Sequence, residues 1–392
     1  MTYLKIALRI SGVALLVLLV YVWGAYSHHK NTAPVRIIKA LHDDYSGKTE
    51  RKSDLQAEAR AARNALISRS GGFGNAHEQV AAAMDAGNSQ RPLYSGMAFL
   101  ADFNSAFCPN GGAKFLTRFQ RYERTCTRIE YENTEYKTYA MIIRSDRTQP
   151  ADRKGLLIYN HGHGGMPKKD EPFAESLLRQ VLDQGNDVMI VNMPFTGLDT
   201  TDYRIRAKTW DGWAEFNPLE MRNSHNVFEL FDTGRSHFIR YFIDNAVVNA
   251  LHVRPQYAKI DYLGFSGGAT SGLYTCAALK DIVSKCILVA GVMPAKFRLD
   301  SQSMGDAEQL SSSLLMKGSV IDLVAEISRS GTALTLVYNS ADACCFGNPA
   351  AQAFKEEIAA HKLANVGFVI RDSDVHGYDP AVIFGIIEGM QP

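Results

Sequence analysis

The segment IDYLGFSGGATSG, residues 260–272, sets a lone serine, Ser266, in a GFSGG run. Glycines beside a serine add backbone freedom that folding must remove, so they call for a reason. One reason is an ordinary strand-to-helix turn. The other is a turn so tight that larger neighbours clash, leaving the hydroxyl standing out for attack. A serine hydroxyl is a weak nucleophile until a base takes its proton, and that base must be held in one tautomer by an acid. The anion formed on an attacked carbonyl also needs preorganised N–H donors. The chain supplies a candidate for each part. Asp342 in ADACC is an acid, with Asp372 and Asp374 as competitors; His376 in DVHGYD is a base; and HGHGG, residues 161–165, is a glycine-rich loop.

These candidates need elements to position them. GLLIYN precedes HGHGG, IDYLGF precedes Ser266, ALTLVYNS precedes Asp342, and VGFVIRDS precedes His376. Each is a short, uniformly apolar run of buried-strand type, as are DVMIVNMP and KCILVAGV. Between them lie helical patterns: PFAESLLRQVLDQG, the amphipathic HFIRYFIDNAVVNALH, SGLYTCAALK, AAQAFKEEIAAHKL and DPAVIFGIIEGM. TCTRIEYENTEYKTYAMIIRS reads as a hairpin about ENTE. Strands apolar throughout, alternating with helices, predict an α/β domain with a mostly parallel central sheet covered on both faces. Chemistry in such a sheet belongs at the C-terminal strand ends, where all four candidates fall.

From residue 126 to 392 the chain resembles the α/β-hydrolases in element order and in its GxSxG elbow. The family order of serine, acid, histidine is met by Ser266, Asp342 and His376. The resemblance implies Ser266 as nucleophile, His376 as general base and then acid, and Asp342 as the orienting acid. It also implies an oxyanion hole made by the N–H of Gly267 and a second from His163 or Gly164. Lipase-like members carry HGGG, and here His163 stands at a glycine position. Phe265, Pro194 and Phe195, at strand ends, are expected to bind substrate. The activity implied is that of a serine esterase forming an acyl-enzyme, with a peptidase or thioesterase of the same fold as alternatives. No metal and no organic cofactor is implied. The rival from another class is a non-catalytic interaction protein on the same fold.

Other readings of these motifs are weaker. HGHGG has the H-x-H of metallo-hydrolases without their following Asp-His, which makes His161 a structural loop residue. As a dinucleotide loop it has Pro167 where a glycine belongs, and the next strand ends on NMP without an acid for a ribose. Of the six cysteines, Cys108 and Cys126 flank a loop and are expected to pair, Cys344 and Cys345 can form a vicinal disulfide, and the absence of CxxC argues against a structural zinc site. Inserts near 195–234, with Trp210, Trp213 and Phe216, and near 293–332, with Leu310, Leu314, Leu315 and Met316, are expected either to cover the pocket or to pack over the sheet.

Outside this domain, residues 28–125 read as a mainly helical extension. Residues 1–27 carry Lys5 and Arg9 ahead of an uncharged stretch from Ile10 to Tyr26, with Tyr21, Trp23 and Tyr26 near its far end. That is a membrane anchor with an aromatic belt, or a signal segment cut near the small residues of WGAYS. An anchor with so short a tail before it places the hydrolase domain on the extracytoplasmic side. The partners expected are the membrane and a small-molecule or glycan/lipid ester substrate. Nucleic acid is not among them: 42 basic against 41 acidic residues gives a net charge of +1 and no basic patch.

Overall fold

The computed structural model describes residues 99–105, 119 and 121–389, with breaks in the last span at 132–133, 135, 147–154, 167–171, 201–204, 210–211, 217–224, 232–236, 299–304, 312–313, 315–318 and 343. The apolar segment 10–26 lies outside them, as does most of the 28–125 extension. Among the described residues no helix is long and apolar enough to cross a membrane.

Eleven strands are described: β1 (Phe99–Asp102), β2 (Arg124–Tyr131), β3 (Tyr136–Ile143), β4 (Gly155–Asn160), β5 (Asp187–Val191), β6 (Ile205–Thr209), β7 (Gly212–Phe216), β8 (Lys259–Phe265), β9 (Val283–Val289), β10 (Ala333–Asn339) and β11 (Val366–Arg371). The described helices are α1 (Pro172–Asp183), α2 (Arg240–Val253), α3 (Gly267–Ala278), the one-turn α4 (Ala307–Leu310), α5 (Val320–Arg329), α6 (Ala350–Ala360) and α7 (Pro380–Glu388).

Nine strands make one sheet in the order β1-β2-β3-β5-β4-β8-β9-β10-β11. From β5 to β11 every neighbouring pair is parallel, while β1 with β2, β2 with β3 and β3 with β5 are antiparallel. This strand order, with a nucleophile-type turn after β8, is the α/β-hydrolase fold. All residues of β4 and β5 are buried, which requires both faces of the sheet centre to be covered. Helix α1 packs with α7, α2 with α3, and α3 in turn with α5. The expected hairpin is the β2–β3 pair, whose register runs from Arg124 opposite Ile143 to Tyr131 opposite Tyr136. Strand β1, inside the region read as a helical extension, adds an antiparallel edge beyond it.

Helix α2 departs from its sequence pattern. It reads as amphipathic, yet all its residues but His252 are buried. Its polar residues find partners inside. Arg240 and Asp244 form an ion pair at 2.8 Å, and Asn245 Nδ2 donates to Thr138 Oγ1 and to the Tyr139 carbonyl, both at 2.9 Å. Buried polar groups persist when paired in this way, so the polar stripe that suggests a solvent face is instead a contact with β3.

The first insert contains a separate two-stranded sheet, β6 with β7, followed by a 3₁₀ segment from His225 to Phe231. The second holds α4 and α5; α5 carries its own capping box, in which Ser319 and Asp322 satisfy each other's N–H groups. Trp210, Leu315 and Met316 lie outside the described residues. Leu314 is buried in the core.

Candidate active site

Ser266 joins β8 to α3 and has φ 56° and ψ −127°. Residues with a Cβ seldom hold such a conformation, which costs on the order of 1–3 kcal/mol. The surroundings enforce it. The Ser266 N–H donates to the Val289 carbonyl of β9 at 2.8 Å, and its own carbonyl accepts from Ala269 at 2.9 Å. A Cβ on Gly264 would collide with the Gly268 carbonyl, and one on Gly268 with the Asn160 carbonyl. The glycines of GFSGG are therefore explained by backbone passing backbone at a tight elbow.

The structure brings the three remote candidates together. Ser266 Oγ lies 3.0 Å from His376 Nε2, and His376 Nδ1 lies 2.9 Å from Asp342 Oδ2. The Asp342 side chain is fully buried and that of His376 is one-quarter exposed. Asp342 Oδ1 accepts the N–H groups of Cys344 at 2.8 Å and Cys345 at 3.4 Å. Its two competitors stand elsewhere: both side chains are solvent-exposed, and Asp372 accepts a hydrogen bond from Ser340. Such a relay can take the serine proton onto Nε2 as oxygen attacks, while the carboxylate fixes the tautomer and steadies the imidazolium.

On the donor side, Gly267 is the first residue of α3, so its N–H is one of those a helix leaves without an intrahelical partner. No acceptor among the described residues takes this N–H, nor that of His163, which with Gly164 belongs to a 3₁₀ turn spanning Gly162–Gly164. That turn packs on the elbow: Gly162, with φ 75°, has the Phe265 carbonyl and the amides of Gly267 and Gly268 where a side chain would go. His161 is buried, with Nδ1 2.5 Å from the Tyr159 hydroxyl, which accepts from Tyr378 at 2.9 Å. It is the structural loop residue its sequence context suggests.

Three asparagines that sequence reasoning overlooked hold the site loops. Asn160, ending β4, accepts the Gly162 N–H at 3.0 Å. Asn192, just past β5, accepts from the Met166 N–H at 2.6 Å and donates to the Met166 carbonyl at 2.9 Å. Asn339, ending β10, donates to the carbonyls of Val375 at 2.6 Å and Gly377 at 2.8 Å, on either side of His376. A signal was present: the runs LLIYN, VMIVN and TLVYN each close on asparagine.

The residues expected to bind substrate sit differently. Phe265, Pro194 and Phe195 are all buried. Phe265 lies behind the histidine, its ring 5.0 Å from that of His376 and 5.2 Å from His161. Phe195 has φ 61°, and its ring sits 5.0 Å from Phe228 and 5.9 Å from Tyr136. The Pro194 carbonyl accepts from His225 Nε2 at 2.8 Å. Their side chains back the site from the core, because aromatic packing at these strand ends outcompetes exposure.

The side chain of His163 also goes somewhere unforeseen. Nε2 is 3.1 Å from Asp306 Oδ2 and 3.2 Å from Glu308 Oε1, and the ring stacks 5.0 Å from that of His225. Burial acts to lower the His163 pKa, but hydrogen bonds to Asp306 and Glu308 outweigh it and raise it to about 10. Burial acts oppositely on Glu308, where the charge of His225 and the hydrogen bond of His163 prevail and hold the carboxyl below its usual range. Residues 163, 225, 306 and 308 share no sequence motif, so this grouping was not legible beforehand.

No family model matches the chain, and no curated protein matches it in sequence. Solved structures similar to it include dipeptidyl peptidase 4 of Porphyromonas gingivalis (16% identity, TM-score 0.43, covering 68% of this chain and 34% of that one). Others are Est1E of Butyrivibrio proteoclasticus (15%, 0.42, 65% and 93%) and the acylaminoacyl peptidase of Pyrococcus horikoshii (12%, 0.44, 69% and 41%). The match thus spans well under half the length of either peptidase. The fold is read from the chain's own strand order and elbow, and these distant likenesses add no substrate.

Proposed function

We propose that this chain is a serine hydrolase that cleaves a carboxylic ester through an acyl-enzyme intermediate. The observation that carries the reading is the unbroken Asp342–His376–Ser266 relay, with both links at hydrogen-bond length and its serine on a strained elbow. Ser266 Oγ attacks the ester carbonyl carbon as its proton passes to His376 Nε2. The N–H of Gly267, joined by that of His163 or Gly164, accommodates the oxyanion. His376 returns the proton to the departing alcohol, and water reverses the sequence to free the acid. An ester is favoured over an amide because its leaving group needs less help from the acid. Peptidase and thioesterase activities use the same relay.

The deciding experiment is labelling of the purified chain by a fluorophosphonate probe beside Ser266→Ala and His376→Ala. Labelling of wild type lost in both variants supports the reading. A folded wild-type chain that takes no label counts against it and favours a non-catalytic interaction protein. Hydrolysis of matched ester, thioester and amide substrates then ranks the leaving groups.

We further propose that the domain works on the extracytoplasmic side of a membrane. Support comes from the apolar stretch at residues 10–26 and from the Cys276–Cys286 and Cys344–Cys345 disulfides, since such bonds persist in oxidising compartments. Cys126 is also disulfide-bonded; its expected partner, Cys108, lies outside the described residues. Fractionation with protease protection of intact cells tests the placement: a domain shielded inside the cell would overturn it.

A further inference from the structure

Four side chains converge beside the serine relay without taking part in it. The ligand atoms of His163, His225, Asp306 and Glu308 all lie within 4.8 Å of one another. They come from three separated segments: the loop after β4, the 3₁₀ segment of the first insert, and the start of α4 in the second. Side-chain exposure falls from 35% at His163 and 14% at Asp306 to 1% at His225 and none at Glu308. The group is thus buried at its base and open at one edge.

Protons alone satisfy it poorly. His225 Nε2 is engaged with the Pro194 carbonyl at 2.8 Å, a bond in which only the nitrogen can donate. Its Nδ1 then faces Glu308 Oε2 at 3.2 Å and Asp306 Oδ2 at 3.6 Å. A neutral imidazole would aim a lone pair at two carboxylates. On the other side, the single Nε2 of His163 faces both Asp306 Oδ2 and the buried Glu308 Oε1, so one N–H is divided between two carboxylates and Oε1 keeps no well-aligned hydrogen bond of its own. Charge-assisted N–H···O bonds run to about 2.7–2.9 Å, whereas these four separations are 3.1, 3.2, 3.2 and 3.6 Å.

Those lengths fit another arrangement. With metal–nitrogen bonds of about 2.0–2.1 Å and metal–oxygen bonds of about 2.0–2.2 Å, the ligand atoms of a tetrahedral zinc site stand about 3.3–3.5 Å apart. A ligating histidine also commonly donates its other N–H to a backbone carbonyl, as His225 does to Pro194. We propose that His163, His225, Asp306 and Glu308 form a binding site for one divalent cation of the zinc type. Two imidazoles with two carboxylates suit zinc and its transition-metal neighbours, whereas calcium and magnesium take all-oxygen shells. The imidazoles give up any protons to solvent as the metal enters.

The site is a structural tie. A Cβ on Gly267 would lie 2.5 Å from His163 Nδ1, so the His163 ring rests against the residue after the serine. The cation joins that loop to both inserts. Metal binding here is independent of the hydrolase chemistry of Ser266.

The test uses the full chain, free of a histidine tag, stripped with chelator and then offered Zn²⁺, with Mg²⁺ as control. Metal retained after gel filtration is counted, and thermal unfolding is followed with and without the ion. About one equivalent of zinc, with Tm raised by roughly 5 °C or more at a hundredfold excess over the dissociation constant, is the expected result. Both effects should vanish in Glu308→Gln and His225→Ala. Co²⁺ substitution guards against variants that fail to fold, because a four-coordinate site gives intense visible bands in the wild-type chain. Wild type that retains no zinc and shows no thermal shift overturns the site. Retention undiminished in folded variants, or a six-coordinate Co²⁺ spectrum, does so equally.

Discussion

Asp342 accepts the Cys344 N–H on Oδ1 at 2.8 Å while Oδ2 faces His376 Nδ1 at 2.9 Å. The acid is therefore gripped from behind by a turn that the Cys344–Cys345 bond closes upon itself. Opening that bond leaves both amides in place but frees the turn to wander. Mild reduction, or the Cys344→Ser/Cys345→Ser double variant, should lower kcat roughly three- to tenfold with KM unchanged, the scale of one weakened hydrogen bond. Cys276 and Cys286 are wholly buried, so a mild reductant should spare them. Unchanged kcat after mass spectrometry confirms reduction would remove the vicinal bond from the positioning of the acid.

Asn339 holds the carbonyls on both sides of His376. An Asn339→Ala variant should lower kcat about a hundredfold, as displacements of about 1 Å do to a positioned group, with little change in KM. Crystallography or imidazole NMR of the variant should find His376 displaced. A purely structural asparagine would lower Tm and leave kcat alone.

The Arg240–Asp244 pair inside α2 is almost completely buried. Asp244→Ala strands a guanidinium in the core and should cost about 3–5 kcal/mol in denaturant unfolding. The double variant Arg240→Met/Asp244→Leu should recover most of that loss. A double variant as unstable as the single one would show that the pair's hydrogen bonds to its surroundings outweigh the charge balance.

His252, the one residue of α2 not buried, stacks on Phe103 with ring centres 3.6 Å apart. Its partial burial lowers its pKa from the ordinary 6.5. The unfolded chain therefore binds the proton more tightly than the folded one, and the pH slope of stability is positive where they differ. Its contribution should be complete above about pH 6.5 and decline as pH falls through the window below that value. Between pH 7 and pH 5, the stability of wild type should fall relative to that of His252→Gln as the pH is lowered. Parallel curves across that range would exclude the effect.

Much of this molecule was open to reading in one dimension. Uniformly apolar strands such as GLLIYN and DVMIV announce a two-sided parallel sheet, and the order of Ser266, Asp342 and His376 at strand ends places the relay before any coordinates. What stayed hidden depends on packing across the chain. α2 looks amphipathic because periodicity cannot tell a solvent face from a polar face satisfied by Thr138 and Tyr139. Phe195 and Phe265 look available at strand ends, yet their neighbours draw them inward. The meeting of His163 with His225, Asp306 and Glu308 depends on how two inserts fold back, which no local pattern encodes. Cys276 and Cys286 likewise gave no hint of pairing, being separated by a helix end and the start of a strand.

That last bond has a consequence for motion. It closes a loop between residues only 10 apart, so it removes about 3 kcal/mol of unfolded-chain freedom on the chain-entropy view. Its placement matters more. Helix α3 is tied to β9 at one end by the Ser266 N–H on the Val289 carbonyl, and near the other by the covalent link from Cys276 to Cys286. A helix fastened at both ends to the same strand cannot ratchet along it or swing away from it. In amide hydrogen exchange, α3 and β9 should open together and among the last in the domain.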